Sequence, residues 1–234
     1  MIKIKKIVPA ALLLTSISSV ALADNWNVGA SASYGSIDGT AKDTQTTTAG
    51  PTVSQTRGAT SGDAEFPFGS IFVEYVKTMD TNLDLVLGLD YVPFKAEIDS
   101  KSFADLNTTG AVASDTSGTR KATLDLKNYA TLYLQPTYKV GGGTAVYGKV
   151  GYIHGDVKIS GSNTATGSTI NATDTLNGYV VGLGVQHNIN KNVFVRLEGS
   201  YTDHDNVTAT DSLGTKFTAD SELIAGKLSI GYSF

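Results

Sequence analysis

The chain has 234 residues, a formal charge of −4 and no cysteine. A mildly acidic chain lacks the basic footprint that nucleic acid requires, so that class of partner is excluded. Without cysteine there is no disulfide framework and no thiolate metal site, and stability has to come from hydrogen-bonded backbone, packing or a membrane.

The first element is an export signal. Met1-Ile2-Lys3-Ile4-Lys5-Lys6 is basic, Ile7 to Leu22 is a short apolar run broken by Pro9, and Ala21-Leu22-Ala23 precedes Asp24. This order of basic start, apolar middle and small-residue end predicts a secretory signal over residues 1–23 and a mature domain over 24–234. Loss of residues 1–23, which hold Lys3, Lys5 and Lys6 and no acid, takes the formal charge from −4 to −7. The mature chain holds no apolar run long enough for a helical span.

Eight segments then alternate apolar with small or polar residues, the period of strands with two unlike faces. The first sets Trp26, Val28, Ala30, Ala32 and Tyr34 against Asn27, Gly29, Ser31 and Ser33. The second sets Ile71, Val73 and Tyr75 against Ser70, Phe72 and Glu74, and the third sets Leu83, Leu85, Leu87, Leu89 and Tyr91 against Asp84, Val86, Gly88 and Asp90. The fourth carries Ala130, Leu132, Leu134, Pro136 and Tyr138 opposite Tyr129, Thr131, Tyr133, Gln135 and Thr137. In the fifth, Val146, Gly148, Val150 and Tyr152 oppose Ala145, Tyr147, Lys149 and Gly151. The sixth has Tyr179, Val181, Leu183 and Val185 on one face, and the seventh has Val193, Val195, Leu197 and Tyr201 opposite Phe194, Arg196 and Glu198. The eighth ends the chain, with Ile224, Leu228, Ile230, Tyr232 and Phe234 opposite Ala225, Lys227, Ser229, Gly231 and Ser233.

Short and long links alternate strictly. Thr78–Thr81, Val140–Gly143 and Asn188–Lys191 are tight, whereas residues 38–65, 99–121, 160–173 and 205–218 are long and rich in Thr, Ser, Gly, Asp and Asn. In a meander this puts every long link at one end and both termini at the other. The expectation is an all-β, eight-stranded antiparallel up-and-down transmembrane β-barrel with long extracellular loops and short periplasmic turns.

A soluble barrel would alternate in the same way with its apolar face inward, and three features favour the membrane. Trp26, Tyr75, Tyr138 and Tyr232 stand at the turn end of the apolar faces and Tyr34, Tyr91, Tyr152, Tyr179 and Tyr201 at the loop end, two aromatic belts about 20 Å apart for eight tilted residues. The opposite face holds Glu74, Asp84, Asp90, Lys149, Arg196, Glu198 and Lys227 amid glycine and serine, which suits an interior only wide enough for side chains. The last strand ends on the row Ile230, Tyr232, Phe234.

Here the sequence resembles bacterial outer-membrane barrels, in which a terminal aromatic on such a strand is read by the barrel-assembly machinery. The repeated alternation, strands such as Tyr147-Gly148-Lys149-Val150-Gly151-Tyr152, and the closing Gly231-Tyr232-Ser233-Phe234 are similar to the small barrels of the OmpA transmembrane-domain and opacity-protein type, also described as a porin family. The resemblance implies a Gram-negative outer-membrane location, lipid and lipopolysaccharide as surroundings, and a surface role such as adhesion or another extracellular contact through the loops. It also implies two alternatives, a narrow pore for ions or small solutes and a lipid A-modifying enzyme. The chain ends at the last strand, where full-length OmpA continues into a peptidoglycan-binding domain.

The inward charges are expected to form salt bridges across the lumen, because unpaired charges there are costly. Lumenal charge pairs are also the gate proposed for OmpA-like barrels. Catalysis is not expected. His154 beside Asp156, and Asp203-His204-Asp205, lie toward the loop end, yet neighbours along a strand point to opposite faces, so these read as surface or interfacial histidines; His187 lies by a turn. No cofactor and no transition-metal site are expected from three scattered histidines. The acids Asp99, Asp115, Asp174, Asp203, Asp205 and Asp211 read as solvated loop carboxylates able at most to meet Ca²⁺ or the divalent ions of lipopolysaccharide. A monomer is expected.

Overall fold

The computed structural model describes residues 25–47, 53–56, 60–94, 96–105, 118–163, 167–210, 212 and 216–234. The expected export signal, Asp115 and Asp211 lie outside them. The described chain is strand throughout, apart from turns: β1 (Asn25–Thr47), β2 (Val53–Thr56), β3 (Thr60–Asp80), β4 (Leu83–Val92), β5 (Ala96–Asp105), β6 (Gly118–Gly141), β7 (Thr144–Asn163), β8 (Ser168–Asn188), β9 (Val193–Thr210) and β10 (Lys216–Ser233).

Eight of these close a ring in which every neighbour is antiparallel, in the order β1, β3, β4, β6, β7, β8, β9, β10 and back to β1. A row of register partners leaves β1 at Val28, passes Val73, Leu89, Leu132, Tyr152, Tyr179, Asp203 and Glu222, and returns to β1 at Asp38. The return is ten residues from the start. For eight strands that stagger tilts each strand by about 40°, within the range that lets a sheet close on itself. The turn end is tight. Gly142 and Gly143 both have positive φ (61° and 73°), the backbone that a two-residue hairpin between β6 and β7 needs.

Faces are sorted as a membrane barrel requires. Leu85, Leu132 and Ile230 point outward, with Leu132 55% and Ile230 56% exposed, while Arg196 and Glu74 point inward at 5% and 0%. Four inward rings have room only because the neighbouring strand carries glycine at the same register: Phe72 lies against Gly29, Tyr133 against Gly88, Tyr147 against Gly184 and Phe194 against Gly231.

The long links differ from expectation. Nearly all of the described residues in 38–65, 99–121, 160–173 and 205–218 are strand, so the wall runs on for about ten residues past the loop-end tyrosines, on the order of 25 Å. Threonine and serine in those segments read as turn formers, yet Thr is also a good strand residue on a half-solvated sheet.

The ring of ladders does not extend with the wall. The β3–β4 ladder stops at Ile71–Tyr91, where Pro93 follows, and the β8–β9 ladder stops at Gly178–His204, while the other ladders continue upward. Above the tyrosines the wall is therefore two four-stranded sheets, β3–β1–β10–β9 and β5–β6–β7–β8. Their inner faces meet in an apolar core of Phe66, Leu223, Ala225 and Val207 from the first sheet and Leu126, Tyr129, Ile153, Val157, Leu176 and Val180 from the second, with Val92 of β4. Outward residues there are polar: Asp38, Glu65, His154, Thr175, Asp203 and Glu222. Lipid cannot satisfy a bare strand edge, so closure has to be complete between the belts; water can, so it need not be complete above them.

Candidate functional site: the lumen

The lumen is filled in two layers. The lower one is built on Glu74 of β3. Arg196 of β9 reaches across and donates from Nη1 to Glu74 Oε1 (2.5 Å) and from Nη2 to Oε2 (2.8 Å). Tyr133 Oη donates to Oε1 (2.6 Å) and Asn27 Nδ2 to Oε2 (2.9 Å), so the carboxylate accepts four hydrogen bonds in a site closed to solvent. The guanidinium donates from Nε to Gln186 Oε1 (2.8 Å) and lies over the Phe194 ring at 4.5 Å, with Phe72 and Tyr147 at 5.6 Å. The delocalised charge suits this aromatic cage better than an ammonium would.

Three further ion pairs complete the layer. Lys149 of β7 meets Glu198 of β9 at 2.5 Å, with Tyr147 Oη also donating to Glu198 (3.0 Å) and the Tyr133 ring 4.4 Å from the ammonium. Lys227 of β10 meets Asp90 of β4 at 2.8 Å, and Lys139 of β6 meets Asp84 of β4 at 2.8 Å. All seven charges expected on the inner face are found there, each in a pair. The sequence reading omitted Lys139, which continues the inward row Tyr133, Gln135, Thr137 by one more step, and it gave no role to the tyrosine hydroxyls that bind the carboxylates.

Above this layer stands the apolar core between the two sheets, which the sequence reading, expecting a polar interior throughout, did not anticipate. At the boundary sits His204, and here the reading of all three histidines as surface or interfacial is corrected. His204 is buried inside the wall, 3.2 Å from Tyr129 Oη and 3.3 Å from Ser221 Oγ, because it shares the inward parity of Arg196, Glu198 and Thr202. His154 and His187 are exposed on the outer surface, bonded to Asn177 and Thr144. Of the loop acids, Asp174 closes the seam between β8 and β9 by accepting from the Thr208 amide (2.6 Å). Among the described residues no group of three or more metal-ligating side chains converges.

Below the charged layer the lumen opens at the turn end into a polar vestibule of about 430 Å³, lined by Asn27, Asp84, Thr137, Lys139, Gln186 and Arg196. On the outer surface Trp26 and Tyr75 pack at 5.4 Å and Tyr152 and Tyr179 at 5.5 Å, at the lower and upper levels respectively. The C-terminal residue belongs to the closing ladder: Phe234 N–H donates to Trp26 O (2.9 Å), Trp26 N–H donates to Phe234 O (3.0 Å), and the Phe234 ring stacks on Tyr232.

A closed ring of eight strands, apolar outside and ion-paired within, is the architecture of an outer-membrane barrel, and the sequence matches the outer membrane protein beta-barrel domain over residues 10–220. The chain belongs to that family. Family membership places this β-barrel protein in the bacterial outer membrane. Among solved structures it is similar to Ail, the attachment invasion locus protein of Yersinia pestis, at 14% identity over 88% of this chain and 99% of that one (TM-score 0.41). It is also similar to the outer membrane protease OmpT from Escherichia coli, at 13% identity over 89% and 97% (TM-score 0.47), and to OprG from Pseudomonas aeruginosa, at 15% identity over 90% and 95% (TM-score 0.46). A search of curated proteins returns no match to this beta-barrel sequence.

Proposed function

We propose that this protein is a closed outer-membrane barrel that carries a β-sandwich for contact at the cell surface. One observation supports this reading above the others: two consecutive layers fill the lumen, first Glu74–Arg196 with its three companion ion pairs and then the apolar core around Ile153 and Leu126. A solute leaving the vestibule would have to break a buried charge pair and then pry the packed sheets apart, each costing several kcal/mol. The wall above the tyrosines is polar outside and packed within, which suits recognition by a folded surface.

The reading is non-enzymatic. His154 faces out and is bonded to Asn177, and His204, although beside the Ser221 hydroxyl, is buried between Tyr129 and Ser221 with only 5% of its surface exposed, which gives a substrate no open approach. The 1–23 segment is taken as the export signal, and the exposed row Ile230, Tyr232, Phe234 as the mark read during assembly into lipid and lipopolysaccharide. The gated pore is kept as a second reading because the vestibule ends directly on Arg196.

Planar-bilayer recording of the purified full chain tests closure. The account expects no steady conductance from the parent protein. Sustained channel steps from the parent would overturn closure and favour the pore.

A further inference from the structure

His204 stands where the wall divides. The β8–β9 ladder ends on its pairing with Gly178, while the ladders on either side run on above it, β7–β8 to Asn163–Ser168 and β9–β10 to Thr210–Lys216. Among the described residues, the bonds that join β8 to β9 higher up are isolated ones. The Thr208 amide donates to Asp174 Oδ2 (2.6 Å), the Thr169 amide to Ser212 Oγ (3.1 Å) and the Ser212 amide to Thr169 O (3.0 Å). Behind this seam Leu176 of β8 and Val207 of β9 are buried in the apolar core. The seam can therefore part locally with both flanking ladders left whole.

The ring at the foot of the seam is held by hydroxyls. Nε2 lies 3.2 Å from Tyr129 Oη of β6, Nδ1 lies 3.3 Å from Ser221 Oγ of β10, and the Tyr129 ring meets the imidazole edge-on. Across from it β8 offers only Gly178. Tyr129 is the titratable side chain it touches, and Asp90 of β4, whose charge reaches Tyr129, is taken up by Lys227. The carboxylates that act on His204 are Asp203 and Asp205 of its own strand, both exposed on the outer face, as are Asp220 and Glu222 on either side of Ser221. A proton added to this ring creates a cation inside the wall that hydroxyls face, with no counter-charge in contact, and burial penalises it. Water reaches the ring once the seam parts above it.

We propose that His204 is an acid-released clasp: neutral, it closes the foot of the β8–β9 seam, and protonated, it lets the seam part upward from Gly178. Opening bares Leu176 and Val207, while the ion-paired layer below stays shut. The direction follows from burial, which lowers the affinity of the closed site for a proton, partly opposed by the Ser221 backbone and by Asp203 and Asp205. The hydrated ring binds the proton more tightly, so release begins as pH falls below the ordinary histidine value of about 6.5.

Amide hydrogen exchange of the full chain in lipid vesicles tests this, with each rate divided by the intrinsic rate at its pH. In the parent, protection of residues 174–178 and 204–208 should fall at least tenfold from pH 7 to pH 5, and protection of residues 71–76 should hold. His204→Gln, uncharged at both pH values, should keep its seam protected. Asp174→Asn retains an oxygen for the Thr208 amide and cannot titrate, so it should respond as the parent does. Folding of both variants is checked by heat-modifiable gel migration. Unchanged seam protection in the parent at pH 5 overturns the clasp without any variant. An equal loss in folded His204→Gln, or no loss in folded Asp174→Asn, would also overturn it, the second by making Asp174 the sensor.

Discussion

Arg196 on β9 and Glu74 on β3 meet across the lumen in a two-pronged ion pair, in which the carboxylate accepts four hydrogen bonds and the guanidinium donates three. Removing one partner leaves the other buried without its counter-charge. Glu74→Gln or Arg196→Met alone should cost about 3–5 kcal/mol in urea unfolding from lipid vesicles. The double variant Glu74→Gln with Arg196→Met should lose clearly less than the sum of the two single losses; additive losses would show that the two residues act independently.

Gly184 and Gly88 are there for the rings laid over them. A Cβ at Gly184 would run into the Tyr147 ring, and one at Gly88 into the Tyr133 ring. Gly184→Val should therefore destabilise the barrel by about 1–3 kcal/mol, the usual cost of overpacking. Adding Tyr147→Leu should recover some of the loss if the collision is its source. Urea midpoints of the single and double variants decide this.

The same apolar truncation should have unequal consequences inside the upper core and on the lipid-facing wall. Ile153→Ala empties a portion of the sandwich core and should cost about 2–5 kcal/mol, whereas Leu132→Ala, on the outer face toward lipid, leaves no cavity and should cost far less. Limited proteolysis of intact cells should cut the upper sheets of the first variant and spare those of the second.

His204 lies beyond Tyr201, outside the stretch between the belts, and burial pushes its pKa below the ordinary histidine value, partly opposed by the Ser221 backbone and by Asp203 and Asp205. It faces Tyr129 and Ser221. A group with a lowered folded pKa binds more protons when unfolded, so its contribution is whole above pH of about 6.5 and is lost as pH falls toward the folded value. Melting temperatures of the parent should drop between pH 7 and pH 5 more than those of His204→Gln. Parallel curves would remove His204 from the pH response.

The eight walls and the three tight turns are legible from period two, because each wall has one face for lipid and one for the lumen. The upper halves are harder to see. In β7 the outward residues Val146, Val150 and Tyr152 are even-numbered, while Ile153, Val157 and Ile159 of the core are odd-numbered. In β8 and β10 the apolar set also changes parity, from Val181 and Tyr179 to Val180 and Leu176, and from Ile230 and Ile224 to Leu223. A reader following one parity sees the hydrophobic signal fade and reads a loop. The chain is strand on both sides of that point; what changes is which side of the wall meets water.

The seven inward charges are legible for a similar reason, since each sits opposite a lipid-facing residue. Their partners are not. Pairing Glu74 with Arg196 and not with Lys149 depends on the ten-residue stagger, which no single strand encodes. His204 is obscured by Asp203 and Asp205, whose charges make the whole tripeptide look exposed.

Because the chain has no cysteine, a single-cysteine scan along β7 tests that reversal most directly. Val146, Gly148, Val150, His154, Asp156 and Lys158 would be replaced in turn and treated, in intact membranes, with a water-soluble maleimide. The account predicts no labelling up to Val150 and full labelling from His154 onward, with the change at Tyr152. Uniform labelling along the row, or labelling of Val146 to Val150 with protection of His154 to Lys158, would contradict it.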